Sequence, residues 1–208
     1  RGKLLDVGCG NGQFLAWMSS LGWEGIGIDP DGVAVRIAKD RFGVTALEGT
    51  IESARFPPSF FDVVTMNHVI EHISDPIKTL AECYRILRPG GKLVIVTPNA
   101  ESLALRLMGA AWLHWDPPRH LFVFSQRALR EIVIRSGFTV RELHTLARGA
   151  YEVWSESRTL WKQDVFPMCL PNKIPLLLKL EARFFWITEY ILSRWWDVGE
   201  ELLMVATK

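Results

Sequence analysis

Three features of the sequence predict an α/β fold, a doubly wound and mostly parallel seven-stranded sheet with a helical insertion before the last strand. Short apolar runs alternate with helical stretches through about residue 147. A glycine turn, Asp6-Val7-Gly8-Cys9-Gly10-Asn11-Gly12, follows the first apolar run, and a carboxylate, Asp29, closes the second. Arg88-Pro89-Gly90-Gly91 then halts a helical stretch just before another apolar run, because proline cannot continue a helix and glycine accepts a left-handed turn.

The expected strands are Lys3–Val7, Gly25–Ile28, Val44–Leu47, Phe61–Met66, Lys92–Thr97, Thr139–Thr145 and Glu201–Thr207. The first, fourth and fifth are almost continuously apolar, as strands covered on both faces should be. Between them the expected helices are Gly12–Leu21, Asp31–Arg41, Pro76–Leu87, Glu101–Ala111 and Gln126–Ser136. Residues 150–198 break the alternation. They hold five of the nine tryptophans (Trp154, Trp161, Trp186, Trp195 and Trp196) in two helical stretches, Glu152–Lys162 and Leu176–Trp196, around a loop with Pro167, Pro171 and Pro175. We read residues 1–208 as a single domain and 150–198 as an insertion within it.

Bulk composition narrows the function. A chain of 208 residues, half of them apolar, can bury about 70% of its unfolded surface. A net charge of +1 argues against a dedicated nucleic-acid partner. Cys9, Cys83 and Cys169 form no CxxC pair and are expected as free thiols of a reducing, cytoplasmic compartment. There is no signal-peptide pattern and no apolar run of the ~18 residues a membrane span needs. The first strand begins almost at residue 1, so a preceding segment is expected in the native chain.

The turn at 6–12 separates two cofactor classes. Glycines at a strand-to-helix bend let the backbone approach a ligand with no Cβ in the way. A dinucleotide fingerprint would need glycine at position 13, where the chain has Gln13, which disfavours a nicotinamide oxidoreductase. Asp6, ending the first strand, suits a cation such as a sulfonium better than a phosphate. Asp29 can accept from both hydroxyls of a ribose.

Five segments in order, DVGCGNG at 6–12, GIDP at 27–30, EGTIES at 48–53, FDVVTMNHVIEHI at 61–73 and LRPGGKLVIVTPN at 87–99, make the chain resemble the class I S-adenosylmethionine-dependent methyltransferases. The likeness is to the small-molecule branch, which includes the ubiquinone-biosynthesis O-methyltransferases and cell-envelope sugar methyltransferases. It covers the first 100 residues closely and implies the Rossmann-like methyltransferase fold, with S-adenosyl-L-methionine as cofactor. By position it implies that Gly8, Cys9 and Gly10 line the methionine portion with Asp6 near its amino group. Asp29 would hold the ribose and Pro30 would lie against the adenine. Thr50 and Ile51 would cup the adenine edge, where many members carry an aspartate that this chain lacks. Asn67 and His68 would close the methionine side.

An oxygen acceptor must lose a proton, and histidine titrates in the right range. His68 and His120 are the candidate catalytic residues, and His72 and His114 are further histidines of the region. The ubiquinone enzymes carry a Glu-x-x-Glu-His run associated with a divalent metal where this chain has His68, Glu71 and His72; the histidine for glutamate argues against a hard cation, and no metal is expected. The run Trp112-Leu-His-Trp115-Asp-Pro-Pro-Arg-His120 resembles one lying over the pocket in cell-envelope sugar methyltransferases. It nominates Trp115, Arg119 and His120 for the substrate. Two readings stay open: His120 acts on the acceptor, or Arg119 pins the loop to an acid and His120 merely packs. Arg119 could also orient an anionic substrate.

In the insertion, Leu177, Leu180, Phe184, Ile187, Ile191 and Trp195 form a helical stripe expected to be core. Trp186 and Tyr190 intrude on the opposite side, which leaves a homodimer contact or a peripheral membrane surface as alternatives for 176–196. The expected function is methyl transfer to a small-molecule acceptor, oxygen favoured. The alternative is a degenerate relative that binds the cofactor without catalysis and serves regulation or interaction.

Overall fold

The computed structural model describes residues 2–163 and 175–208. Pro167, Cys169 and Pro171 lie outside the described residues. The sheet runs in the order β3 (Thr45–Glu48), β2 (Glu24–Asp29), β1 (Lys3–Val7), β4 (Phe61–Asn67), β5 (Leu87–Pro98), β7 (Glu201–Thr207), β6 (Thr139–Leu146). The first five pair in parallel, and β7 runs antiparallel to both β5 and β6. Six of the seven strands fall within a residue of where the residue pattern places them, and β5 starts earlier. The order reverses between β1 and β4, so a crevice opens above their carboxyl ends, where ligands bind in such sheets.

One face of the sheet carries the main core. Leu5, Val7, Val64, Met66, Leu93 and Ile95 meet α4 (Pro76–Ile86) and α6 (Gln126–Arg135) through Leu80, Cys83, Ile86, Leu129 and Val133, all buried. The start of α4 is set locally. The Asp75 carboxylate accepts from the Lys78 N–H at 3.1 Å and Pro76 occupies the first turn, where its missing N–H costs nothing. On the other face α1 (Gln13–Ser20) and α2 (Gly32–Phe42) cover the β1–β3 side, with Val35 and Ala38 against Cys9 and Ala46.

Three details depart from expectation. Helix α4 stops at Ile86, and β5 already begins at Leu87, so Arg88–Gly91 belongs to the strand, with Gly90 at φ +78° and a register shift opposite Phe61–Val63. The helix expected over 101–111 shortens to α5 (Leu103–Met108), ended by Gly109 at φ +55° and followed by one 3-10 turn. A one-turn helix, α3 (Ile51–Ala54), was not expected; Thr50 and Ser53 cap it reciprocally.

The insertion contributes α7 (Ala150–Gln163) and α8 (Leu176–Leu192) between β6 and β7. It builds a second core with α5, in which Met108, Trp112, Val153 and Phe185 are buried and Trp154 stacks on Phe185 at 4.1 Å. The inward face of α8 is Ala182, Phe185 and Glu189. The stripe expected as core instead faces outward: Leu177 is 67% exposed, Phe184 74% and Trp195 79%, and Leu180, Ile187 and Ile191 are exposed too. Periodicity identifies a face without saying which way it turns. Here close contact with α7 needs the small Ala182, and Glu189 turns in because its carboxylate accepts from the Glu200 N–H at 2.6 Å.

Candidate active site

The turn after β1 is built by three left-handed glycines, Gly8 (φ +71°), Gly10 (φ +50°) and Gly12 (φ +81°). A Cβ on Gly8 would collide with a Val69 methyl, and the positive φ strains any other residue here. The turn is tied to the end of β2. Gly8 and Cys9 donate to the Ile28 carbonyl at 2.7 and 3.2 Å, and Gly10 donates to Asp29 Oδ2 at 2.8 Å. Asp29 Oδ1 accepts from the Asp31 N–H at 2.8 Å. Each carboxylate oxygen keeps a second lone-pair direction for a ligand hydroxyl.

Two depressions flank this turn. One, of about 400 Å³, is lined by Gly8, Ile28, Pro30, Thr50, Ile51 and His72, among others. The other, of about 580 Å³, includes Asp6, Cys9, Gly10, Asn67 and Arg148 in its wall. In the second, two acceptors await a donor. Asp6 is 3% exposed, and its Oδ1 accepts from the Thr65 hydroxyl at 2.6 Å. Burial pushes its carboxyl up to about 6; the Thr65 bond works against this and the Asp29 charge adds to it. Asn67 Oδ1 is buried with no hydrogen-bond partner. Such a pair fits an ammonium group, whose charge would relieve Asp6. Cys9, its thiol pushed up to about 12 by burial and then by Asp6 and Asp29, is a neutral wall.

Beyond Asn67 the chain turns at His68 (φ +55°) into a cluster of histidines and acids. His68 Nε2 lies 2.9 Å from Glu201 Oε1 and its Nδ1 lies 3.3 Å from Glu71 Oε1. Burial opposes charge on this ring, but bonds to Glu201 and Glu71 outweigh it and push its pKa up to about 9. Flanked by two carboxylates, the ring favours its protonated form, which has no lone pair for the general-base role the sequence suggested. Its partner Glu71 also accepts from the Thr97 hydroxyl at 3.0 Å; burial would raise its pKa, yet the His68 bond and these partners hold it below the usual value.

The 112–120 run folds over this cluster. The Glu71 carbonyl accepts from Leu121 and Phe122 N–H, latching the loop in place. His120 Nδ1 lies 2.7 Å from the His114 carbonyl and His72 Nδ1 lies 2.9 Å from the Arg119 carbonyl. A carbonyl only accepts, so both Nδ1 atoms carry a proton, and Nε2 is the lone-pair atom of either ring in its neutral form. The two rings meet edge to face at 4.7 Å. His114 stacks between His68 and His120; burial, then the two neighbouring histidines, push it down to about 3, so it stays neutral. Arg119 pairs with Asp116 at 2.7 Å, the loop-pinning alternative, and the Trp115 indole N–H donates to the Gly109 carbonyl at 3.0 Å.

A family model described as a methyltransferase domain matches residues 1–143. The chain belongs to the class I S-adenosylmethionine-dependent methyltransferases. A ubiquinone biosynthesis O-methyltransferase of Cereibacter sphaeroides is 36% identical over 123 residues, which cover 55% of this chain and 50% of that protein. The mouse mitochondrial ubiquinone biosynthesis O-methyltransferase is 29% identical over 179 residues, covering 76% of this chain and 48% of that one. The methyltransferase thus spans about half the length of the curated relatives it matches. A solved structure from Thermotoga maritima, described as an S-adenosylmethionine-dependent methyltransferase and possible histamine N-methyltransferase, shares the fold. Its TM-score is 0.66 at 22% identity, covering 100% of this chain and 83% of that one.

The cofactor of this methyltransferase is S-adenosylmethionine, and its residues fit that group. Asp6 and the unpartnered Asn67 oxygen suit the amino end, and the apolar depression by Pro30 and Ile51 suits the adenine. The divalent metal associated with the ubiquinone enzymes fits less well, because His68 is already held between two carboxylates. Glu71, His72 and His120 do bring potential ligand atoms within 4.8 Å of one another, a nitrogen-rich set suited to a borderline ion and not to magnesium.

Four participants were not singled out in the sequence: Glu201, Arg148, Thr97 and the partner role of Glu71. The one usable signal was the Glu200-Glu201 pair opening an otherwise apolar strand, since acids entering a covered sheet need partners. Glu201 reaches the site because the antiparallel β5–β7 register sets it opposite Pro98, at the ligand-binding edge. Arg148 Nε lies 3.9 Å from Glu201 Oε2.

Proposed function

We propose that this chain is the catalytic domain of an enzyme that moves the methyl group of S-adenosylmethionine to an oxygen of a small-molecule acceptor. The single observation that carries the acceptor chemistry is the His120 tautomer. With Nδ1–H spent on the His114 carbonyl, Nε2 is the ring atom left to face an acceptor, beside His72, which itself lines the cofactor crevice.

The acceptor hydroxyl gives its proton to His120 Nε2 as its oxygen attacks the methyl carbon in line with the carbon–sulfur bond. That bond breaks with its electron pair going to sulfur, leaving a neutral thioether, and the new positive charge resides on His120. Glu71, with a carboxylate oxygen within 4.8 Å of His120, stabilises that charge as a positioning residue. Holding oxygen and methyl in register supplies much of the acceleration. Asp6 and Asn67 fix the amino end, Asp29 the ribose, and Pro30, Thr50 and Ile51 the adenine. Trp115 is a wall on the acceptor side, and Arg119 pins the loop through Asp116. The name of the curated relatives supports oxygen as the acceptor atom. The near-neutral charge supports a small molecule over a nucleic acid.

The test is His120→Ala assayed for S-adenosylhomocysteine formation over a panel of phenolic and sugar acceptors. The reading expects kcat to fall ~10²–10⁴-fold with the cofactor Kd unchanged. A variant turning over at the parental rate assigns the base elsewhere.

A further inference from the structure

The outward arc of α8 is unlike an ordinary solvated surface. Around the helix it presents Trp186, Lys179, Tyr190, Arg183, Leu176, Ile187, Leu180, Ile191, Phe184 and Leu177, all exposed. Eight of these ten are apolar or aromatic, two are cationic and none is acidic. Both acids of the helix are withdrawn: Glu189 is buried, and Glu181 is half-buried at 3.2 Å from Arg158. Trp195 and Trp196, 79% and 62% exposed, extend the patch past the helix end, with Arg194 beside Tyr190. The cations gather on one edge, where Lys179 and Arg183 flank a groove of about 400 Å³ that also includes Tyr151, Leu180 and Trp186. No helix among the described residues is long and apolar enough to cross a membrane.

We propose that the outer face of α8, with the tryptophans that follow it, is a docking surface for an anionic lipid bilayer, on which the helix lies in the plane of the interface. The apolar edge enters the acyl boundary. Trp186, Tyr190, Trp195 and Trp196 sit at headgroup level, and Lys179, Arg183 and Arg194 meet lipid phosphates, with their stems along the apolar surface. Charge decides between a bilayer and a second copy of the chain. Among the described residues the α8 face offers a second copy no acid to pair these cations, Asp197 after the tryptophans being the single exposed acid of the patch, whereas an anionic surface answers all three. The helix stays fastened to the catalytic fold through Phe185 and Glu189.

The surface does not depend on the acceptor reading, so His120→Ala should bind vesicles like the parent chain. The experiment is co-sedimentation of the full chain with vesicles of phosphatidylcholine alone and of phosphatidylcholine mixed with phosphatidylglycerol. Two double variants change exposed side chains only, Leu180→Glu with Ile187→Glu and Lys179→Glu with Arg183→Glu, and S-adenosylhomocysteine binding checks that each is folded. The parent should partition onto the mixed vesicles and release with added salt. The apolar pair should lose at least roughly tenfold in partition on either vesicle. The charge pair should lose at least roughly thirtyfold, on the anionic vesicles alone. Absence of partition onto anionic vesicles, or folded variants that bind like the parent, would overturn the proposal. So would a parent dimer, seen by light scattering and dissolved by the same substitutions, that ignores vesicles.

Discussion

Asp6→Asn should make the ligand-free protein more stable and the cofactor weaker, and both effects follow from one buried charge. Asp6 is 3% exposed, and burial lifts its carboxyl from 3.8 to about 6. Between those values the unfolded chain ionises while the folded one resists, so stability falls as pH rises through this window. The full cost, about 3 kcal/mol, is present above pH 6 and absent well below 3.8. Asparagine keeps the shape and an oxygen for the Thr65 hydroxyl but adds an amide N–H₂ that needs partners, which takes back about 1–2 kcal/mol. The variant should therefore gain about 1–2 kcal/mol at pH 8, some 2–8 °C in Tm, and lose that gain at pH 4. Its S-adenosylhomocysteine affinity at pH 8 should drop by about 1.5–3 kcal/mol, the worth of a hydrogen bond to a charged group. Urea unfolding at the two pH values and titration calorimetry read these quantities. A variant less stable than the parent at pH 8, or one binding the ligand equally well, would refute the assignment of Asp6 to a cation.

Other outcomes follow from the same geometry. Parent affinity for S-adenosylhomocysteine should fall as pH drops below about 6, because the ammonium loses its ionised partner; calorimetry between pH 5 and 7.5 checks it. Asp29→Ala should cost about 1.5–3 kcal/mol of cofactor affinity by calorimetry and also loosen the turn it ties through Gly10. His68→Ala should destabilise by about 3–5 kcal/mol in denaturant unfolding, since it leaves Glu71 buried without its cation and Glu201 with only the more distant Arg148. The stabilisation from His68 should be complete below pH 6.5 and fade as pH rises through about 9, because the folded ring holds its proton longer than the unfolded one.

The succession of strands along the chain and the glycine turn after β1 were legible because local chemistry writes them. The three glycines of the turn, Asp29 at the end of β2 and the apolar run of β1 each demand their conformation whatever the rest of the chain does. The histidine cluster was only half legible. His68 and His120 could be nominated by residue type, but the role of each depends on atoms far along the chain. Glu201, 133 residues from His68, raises the pKa of that ring, and the His114 carbonyl makes Nδ1 of His120 its donor. The insertion was misread for a similar reason. The apolar stripe of α8 is larger than the face it buries, and only the fit of Ala182 and Phe185 against α7 decides which one turns inward.

The most direct test of the central claim is a crystal structure grown with S-adenosylhomocysteine. The account predicts the amino group at Asp6 and Asn67, both ribose hydroxyls on Asp29 and the adenine between Pro30 and Ile51, with the sulfur turned toward His120. A ligand bound away from the Gly8–Gly10 turn, or a ribose that leaves Asp29 untouched, would contradict it.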